Sequence, residues 1–181
     1  MDLQRIAVTF FARDAEFDMA AMIPVFHDWI RRQALDGLML LDVADYAHVA
    51  KGPGVVLICH EGHFSLDQTT GRLGLMYSNK RLATGSVRDR LRSCVNRAMA
   101  AIKLLETDST LQGKLTFGHD EALIRIEDRL LAPNNAETFD VLRVDIEVVL
   151  RDVLGTDQIE LQHVAKPKIG FTAMAHRRDR A

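Results

Sequence analysis

The stretch Val55-Val-Leu-Ile-Cys-His-Glu-Gly-His-Phe-Ser-Leu-Asp-Gln-Thr-Thr-Gly-Arg-Leu-Gly-Leu-Met-Tyr77 decides the fold. Val55 to Cys59 is a β-rich apolar run, the chain turns near Gly62, Asp67 or Gly71, and Leu73, Leu75 and Tyr77 then alternate with small or polar residues. Two strands joined without a helix form a hairpin, and hairpin strands are antiparallel. A doubly wound parallel sheet needs strict strand-helix alternation, so the pattern argues for an α+β fold instead.

Upstream, Leu3 to Ala12 reads as a strand. Met22, Phe26, Trp29, Ile30 and Gln33 share one side of a helix with Pro24 in its first turn and Asp36-Gly37 ending it. Leu38-Met39-Leu40-Leu41 is a short, wholly apolar run, which predicts a strand covered on both faces at the centre of the sheet. Asp42 to Gly54 lacks alternation and ends in Gly-Pro-Gly, so it is expected to be a loop with one helical turn.

Downstream, Val87, Leu91, Cys94, Val95, Ala98, Ile102 and Leu105 repeat at helical spacing after Ser86. Leu115 to Phe117 and Ala122 to Ile126 read as two short strands around Gly118-His119-Asp120. Phe139, Leu142, Ile146, Val149 and Val153 mark a second long helix stopped by Gly155. A hairpin of 159–164 and 169–175 across Pro167 closes the chain, and 176–181 reads as a frayed basic tail. The expectation is a single α+β domain over 1–181, with three main helices on a mostly antiparallel sheet. With the central strand set aside, residues 3–118 follow the ferredoxin-like order of strand, helix, two strands, helix, strand, and 121–175 read as an incomplete second copy.

Composition narrows the function. The chain is 48% hydrophobic with 23 Lys plus Arg against 25 Asp plus Glu, a net charge of -2. Such a chain can bury a core, and it lacks the positive excess of a dedicated nucleic-acid binder. Two cysteines form no disulfide framework, and neither a leader nor a membrane-spanning run is visible, which points to a reducing, cytoplasmic setting.

The series Ile23-Pro-Val-Phe-His-Asp-Trp29, Leu41-Asp-Val-Ala-Asp-Tyr46, His48-Val49, Gly52-Pro-Gly-Val55 and His60-Glu61 resembles a group of uncharacterised bacterial proteins of about this length. The resemblance covers most of the chain and implies no activity, so it carries over no catalytic residue.

Asp42, Asp45, His48, His60, Glu61 and His63 form the densest pool of potential metal ligands, chemically suited to zinc, manganese or iron with one carboxylate as general base. Their spacing is poor, because residues three apart on a strand face opposite ways. The same objection separates Cys59 from His60 as a nucleophile and base. A second candidate lies where Thr84-Gly85-Ser86 opens a helix beside Lys80, Arg81 and Arg88, a setting for a small anion.

Charge is segregated. Residues 80–103 carry seven basic side chains against Asp89 alone, while 134–160 carry seven acidic ones against Arg143 and Arg151. The two helices could attract within one chain or between copies, and the second option predicts a homodimer or higher homo-oligomer. The leading expectation is a binding or assembly module without a cofactor, forming a homo-oligomer and able to hold a small anion at Lys80, Arg81, Thr84, Ser86 and Arg88. The alternative is a hydrolase-like enzyme using a divalent transition metal.

Overall fold

The computed structural model describes every residue except 1, 17, 82, 112, 167, 168 and 179–181. The described elements are β1 (Ile6–Ala15), a 3-10 turn (Met19–Ala21), α1 (Met22–Arg32), β2 (Leu40–Tyr46), β3 (Gly54–Cys59), β4 (Gly62–Asp67) and β5 (Gly74–Asn79). They continue with α2 (Val87–Thr107), β6 (Leu115–Ile126), α3 (Ala136–Leu154), β7 (Ile159–His163) and β8 (Phe171–Arg177). The strands make one sheet in the order β2-β3-β4-β5-β1-β6-β8-β7, antiparallel at each pairing. The fold is therefore α+β with an antiparallel sheet and three helices.

Local chemistry explains the helices. Ser86 caps α2 in a reciprocal capping box with Asp89, and Leu91, Val95, Ala98, Ile102 and Leu105 repeat at the spacing that buries one side. Asn135 caps α3 by accepting from the Thr138 N–H at 2.9 Å, and Gly155 ends it in the left-handed region at φ 63°. Helix α1 stops earlier than Asp36-Gly37 suggests, because Gln33 itself turns left-handed at φ 47°.

All three helices lie on one face. Ile6, Val8 and Phe10 of β1, Leu57 of β3, Phe64 of β4, Tyr77 of β5 and Ile124 of β6 join Trp29, Val95 and Ile146 in a single apolar core. Fully burying one such side chain contributes roughly 1.5–3 kcal/mol. The alternate residues point the other way, toward a face with no helix. Cross-strand pairing arranges them in two rows, Val56-Ser65-Met76-Thr9-Leu123-Met174 and Ile58-His63-Ser78-Ala7-Arg125-Thr172.

Several expectations are corrected. The Leu38–Leu41 run is not central: it leads into β2, the edge strand, where Leu38 and Leu40 are buried while Met39 and Leu41 are exposed. Its apolar character reflects one covered side. Asp42 to Tyr46 is strand and not loop, its alternation hidden by a register shift between Leu40 and Asp42. β3 does not pair with β5, because β4 runs between them and turns the expected hairpin into a meander.

Four strands, not two, therefore separate α1 from α2, so the ferredoxin-like order does not describe residues 3–118 as they stand. The two short strands at 115–117 and 122–126 are one long β6, with its register against β1 broken between Phe10 and Asp14. In the first half a strand and helix are followed by a four-stranded meander whose last strand, β5, returns beside β1; in the second, β6 and α3 are followed by a hairpin whose last strand, β8, returns beside β6. The tail begins later than expected, since His176 and Arg177 belong to β8 and Arg178 pairs with Glu160 at 2.9 Å. Residues 179–181 lie outside the described part.

Candidate functional site

The six residues of the metal pool are split between the ends of the β2–β3 hairpin. Asp45 accepts from the Ala47 N–H at 2.8 Å to close the turn in which His48 is exposed. His60 and Glu61 stand at the opposite end of β3, where the Glu61 carboxylate accepts from the Met39 N–H at 3.2 Å. The six-residue length of β3 puts those ends roughly 16 Å apart at strand rise. Asp42 accepts from the Val43 N–H on the outer strand, and His63 points to the bare face beside Ile58. Among the described residues no three His, Cys, Asp or Glu side chains gather to hold a metal.

In the anion set Ser86, Arg88 and Arg81 already have partners within the chain. The Asp89 carboxylate accepts from the Ser86 N–H at 2.9 Å and the Ser86 hydroxyl at 2.7 Å, so the N-terminus of α2 already holds an anion of its own. Arg88 turns to Asp145, donating from Nε at 2.9 Å and Nη2 at 2.7 Å. Arg81 donates through Nε to the His60 carbonyl at 3.3 Å, Thr84 is exposed ahead of the cap, and Lys80 lies elsewhere on the rim of a hollow described below.

The opposite charges of α2 and α3 meet inside one chain, through Arg88–Asp145 and Arg92–Asp152. That contact uses the attraction that would have joined two copies. The two cysteines are poorly placed as nucleophiles: Cys59 and Cys94 are enclosed in the core, which pushes both thiols up to about 12, and His60 is exposed where its neighbour Cys59 is fully buried.

A hollow of about 350 Å³ lies beside α2, lined by Met99, Ile102, Glu106 and His119, and two others lie on the bare sheet face. One hollow, about 410 Å³, is walled by Ala44, Tyr46, Pro53, Val56, Ile58 and His63, with Lys80 at its rim. Burial lowers the His63 pKa and neighbouring Lys80 adds to the effect, against the opposing pull of Glu127. The other, about 330 Å³, lies between the β4–β5 and β7–β8 loops; Phe11, Leu123, Ile169 and Met174 are among its apolar walls.

This second hollow carries the denser chemistry. Arg125 rises from β6 with its side chain 27% exposed. Its Nη2 lies 3.0 Å from the Met76 sulfur and 3.9 Å from Asp67 Oδ2, and its Nε is buried without a partner. Thioether sulfur is a weak acceptor, and 3.9 Å is beyond hydrogen-bond reach. Asp67, 2% exposed, is held instead by the Thr69 N–H and hydroxyl, each at 2.8 Å. Arg72 lies over the Phe11 ring at 4.1 Å and pairs with Glu121 at 2.7 Å. Lys166 is exposed and has no ion-pair partner among the described residues.

Both walls are tied down. On one side Asp67 orders Thr69, and the Gly71 N–H donates to the Gln68 carbonyl at 2.9 Å. On the other, Asn134 Nδ2 donates to the carbonyls of Val164 at 3.0 Å and Lys166 at 3.2 Å, while its Oδ1 accepts from the Thr172 N–H at 3.2 Å. Those three bonds fix the orientation of the amide, so His163 must donate to Asn134 Oδ1 through Nε2, at 2.8 Å.

Sequence reasoning selected none of Asp67, Arg72, Arg125 and Asn134 as site residues. The signal was the alternation His63-Phe-Ser65-Leu-Asp67, repeated as Arg125 between Ile124 and Ile126: polar groups at every second position of strands whose other side is fully apolar. Comparison with protein-family models gives no match, and comparison with curated proteins gives none either. Among the described residues no helix is long and apolar enough to cross a membrane. Fold and site together define an α+β sheet protein with one helix-covered face and one bare, hollowed face.

Proposed function

We propose that the protein is a binding module that takes up a small molecule on the sheet face its helices leave bare. The observation that carries this reading is the pair of hollows on that face, each combining apolar walls with basic side chains. Small-molecule sites have this character, a mostly apolar concavity with a few placed polar groups. The hydrogen bonds that hold Thr69, Val164 and Lys166 beside the second hollow add support, because a site already fixed in shape loses less entropy on binding. No observation favours the metal-dependent alternative, whose six groups stand apart.

A shift of the denaturation midpoint across a panel of small amphipathic compounds tests the reading. Compounds that raise the midpoint should lose their effect in Val56→Arg or Leu123→Arg, which load the bare face, and keep it in Val141→Arg on the exposed side of α3. Stabilisation that survives both bare-face variants would refute the assignment.

A further inference from the structure

We propose that the hollow between the β4–β5 and β7–β8 loops binds a monocarboxylate with a short apolar body, a reading that rests on the binding-module function and adds the chemistry of its ligand. Among the described residues three cations, Arg72, Arg125 and Lys166, line this hollow. Two carboxylates answer them: Glu121 at 2.7 Å from Arg72, and Asp67 at 3.9 Å from Arg125. Among the described residues one positive charge is left over, and Arg125 has no close oxygen acceptor.

A largely enclosed guanidinium whose nearest contacts are a sulfur and a distant carboxylate is costly, because burial removes water that nothing has replaced. An incoming carboxylate supplies two acceptor oxygens in the geometry a guanidinium fits. A single negative charge balances the surplus carried by the described residues.

The walls determine the rest of the ligand. Leu123, Ile169, Val164 and Met174 offer no charge, so the body that follows the carboxylate is apolar. A volume of about 330 Å³ is at the small end for ligand sites, enough for a body of roughly ten heavy atoms. The Thr69 and Thr70 hydroxyls are already given to Asp67 and to the Arg72 carbonyl, which leaves the cations to receive the carboxylate, and Asn134 holds the loop that bears Lys166.

Octanoate and octan-1-ol, equal in chain length and different in charge, test the proposal by titration of the isotopically labelled protein followed through its amide resonances. Octanoate should saturate, shifting Thr69, Leu123, Thr172 and Met174, and octan-1-ol should bind at least about tenfold more weakly. Lys166→Gln, on an exposed loop, should weaken octanoate by about tenfold. Arg125→Gln should weaken it further, provided its amide spectrum remains that of the folded protein. Equal binding of the alcohol, or an unchanged affinity in Lys166→Gln, would overturn the assignment. Shifts confined to Ala44, Ile58 and His63 would overturn it while leaving the binding-module function standing, and no shift on either hollow would remove both.

Discussion

The Gln33 carboxamide closes a ring on the backbone of Leu40: its Nε2 donates to the Leu40 carbonyl at 3.1 Å and its Oε1 accepts from the Leu40 N–H at 3.1 Å. A side chain thus stands where another strand would pair, at the start of edge strand β2. Farther along, Asp42 accepts from the Val43 N–H at 2.8 Å. Edge strands with free backbone groups recruit other chains, and these two side chains blunt that tendency. Gln33→Ala is expected to lower stability by about 1–2 kcal/mol and to make light scattering rise with protein concentration. Unfolding in urea and scattering at two concentrations check both effects.

Asn134 joins the loop before α3 to the β7–β8 loop and to β8, using both ends of its amide. Asn134→Ala leaves the Thr172 N–H and the Val164 carbonyl without this partner, at a cost of about 2–4 kcal/mol. Because the same residue holds the Lys166 loop, the variant should also weaken octanoate at temperatures where it remains folded. A variant as stable as the parent would show that the loop is held by other contacts.

His63 gives the bare face a pH dependence. Burial depresses its folded pKa below the ordinary value of 6.5, so the unfolded chain binds the proton more readily. Stability linked to this group is therefore intact above pH 6.5 and falls as pH drops toward the depressed folded value. Lys80 reinforces the shift and Glu127 opposes it. His63→Gln should flatten that part of the stability profile, as measured by urea unfolding between pH 5 and 7.5; an unchanged slope would contradict it.

The charged helices should not join copies of the chain. Arg88 and Arg92 are engaged by Asp145 and Asp152 of the same molecule, and exposed pairs of this kind contribute at most about 1 kcal/mol each. The mass in solution is expected to be the same at low salt and at 1 M salt, where screening is strong. Salt-sensitive association would show that the pairs exchange between copies.

The elements that were legible in the sequence owe it to one-sided periodicity. Leu91 to Leu105 in α2 and Leu142 to Val149 in α3 place apolar residues at helical spacing, and the hairpin logic around Val55 excluded a parallel sheet. Position in the sheet was not legible. Leu38 to Leu41 looked central because hydrophobicity records burial against α1 and exposure at the edge in the same letters. The site was hidden for a related reason. Asp67, Arg125 and Asn134 are far apart in sequence, and only the register β4-β5-β1-β6-β8 brings the first two across Met76. The histidine-rich segment drew attention through local density, whereas a strand sends such neighbours to opposite sides and opposite ends.

Hydrogen–deuterium exchange of the protein with and without saturating octanoate tests most directly whether the bare sheet face is the binding face. Protection should concentrate in peptides spanning 69–72, 123–125 and 164–166, with α2 and α3 exchanging at unchanged rates. Protection centred on the helices, or on β2 and β3 alone, would contradict the account.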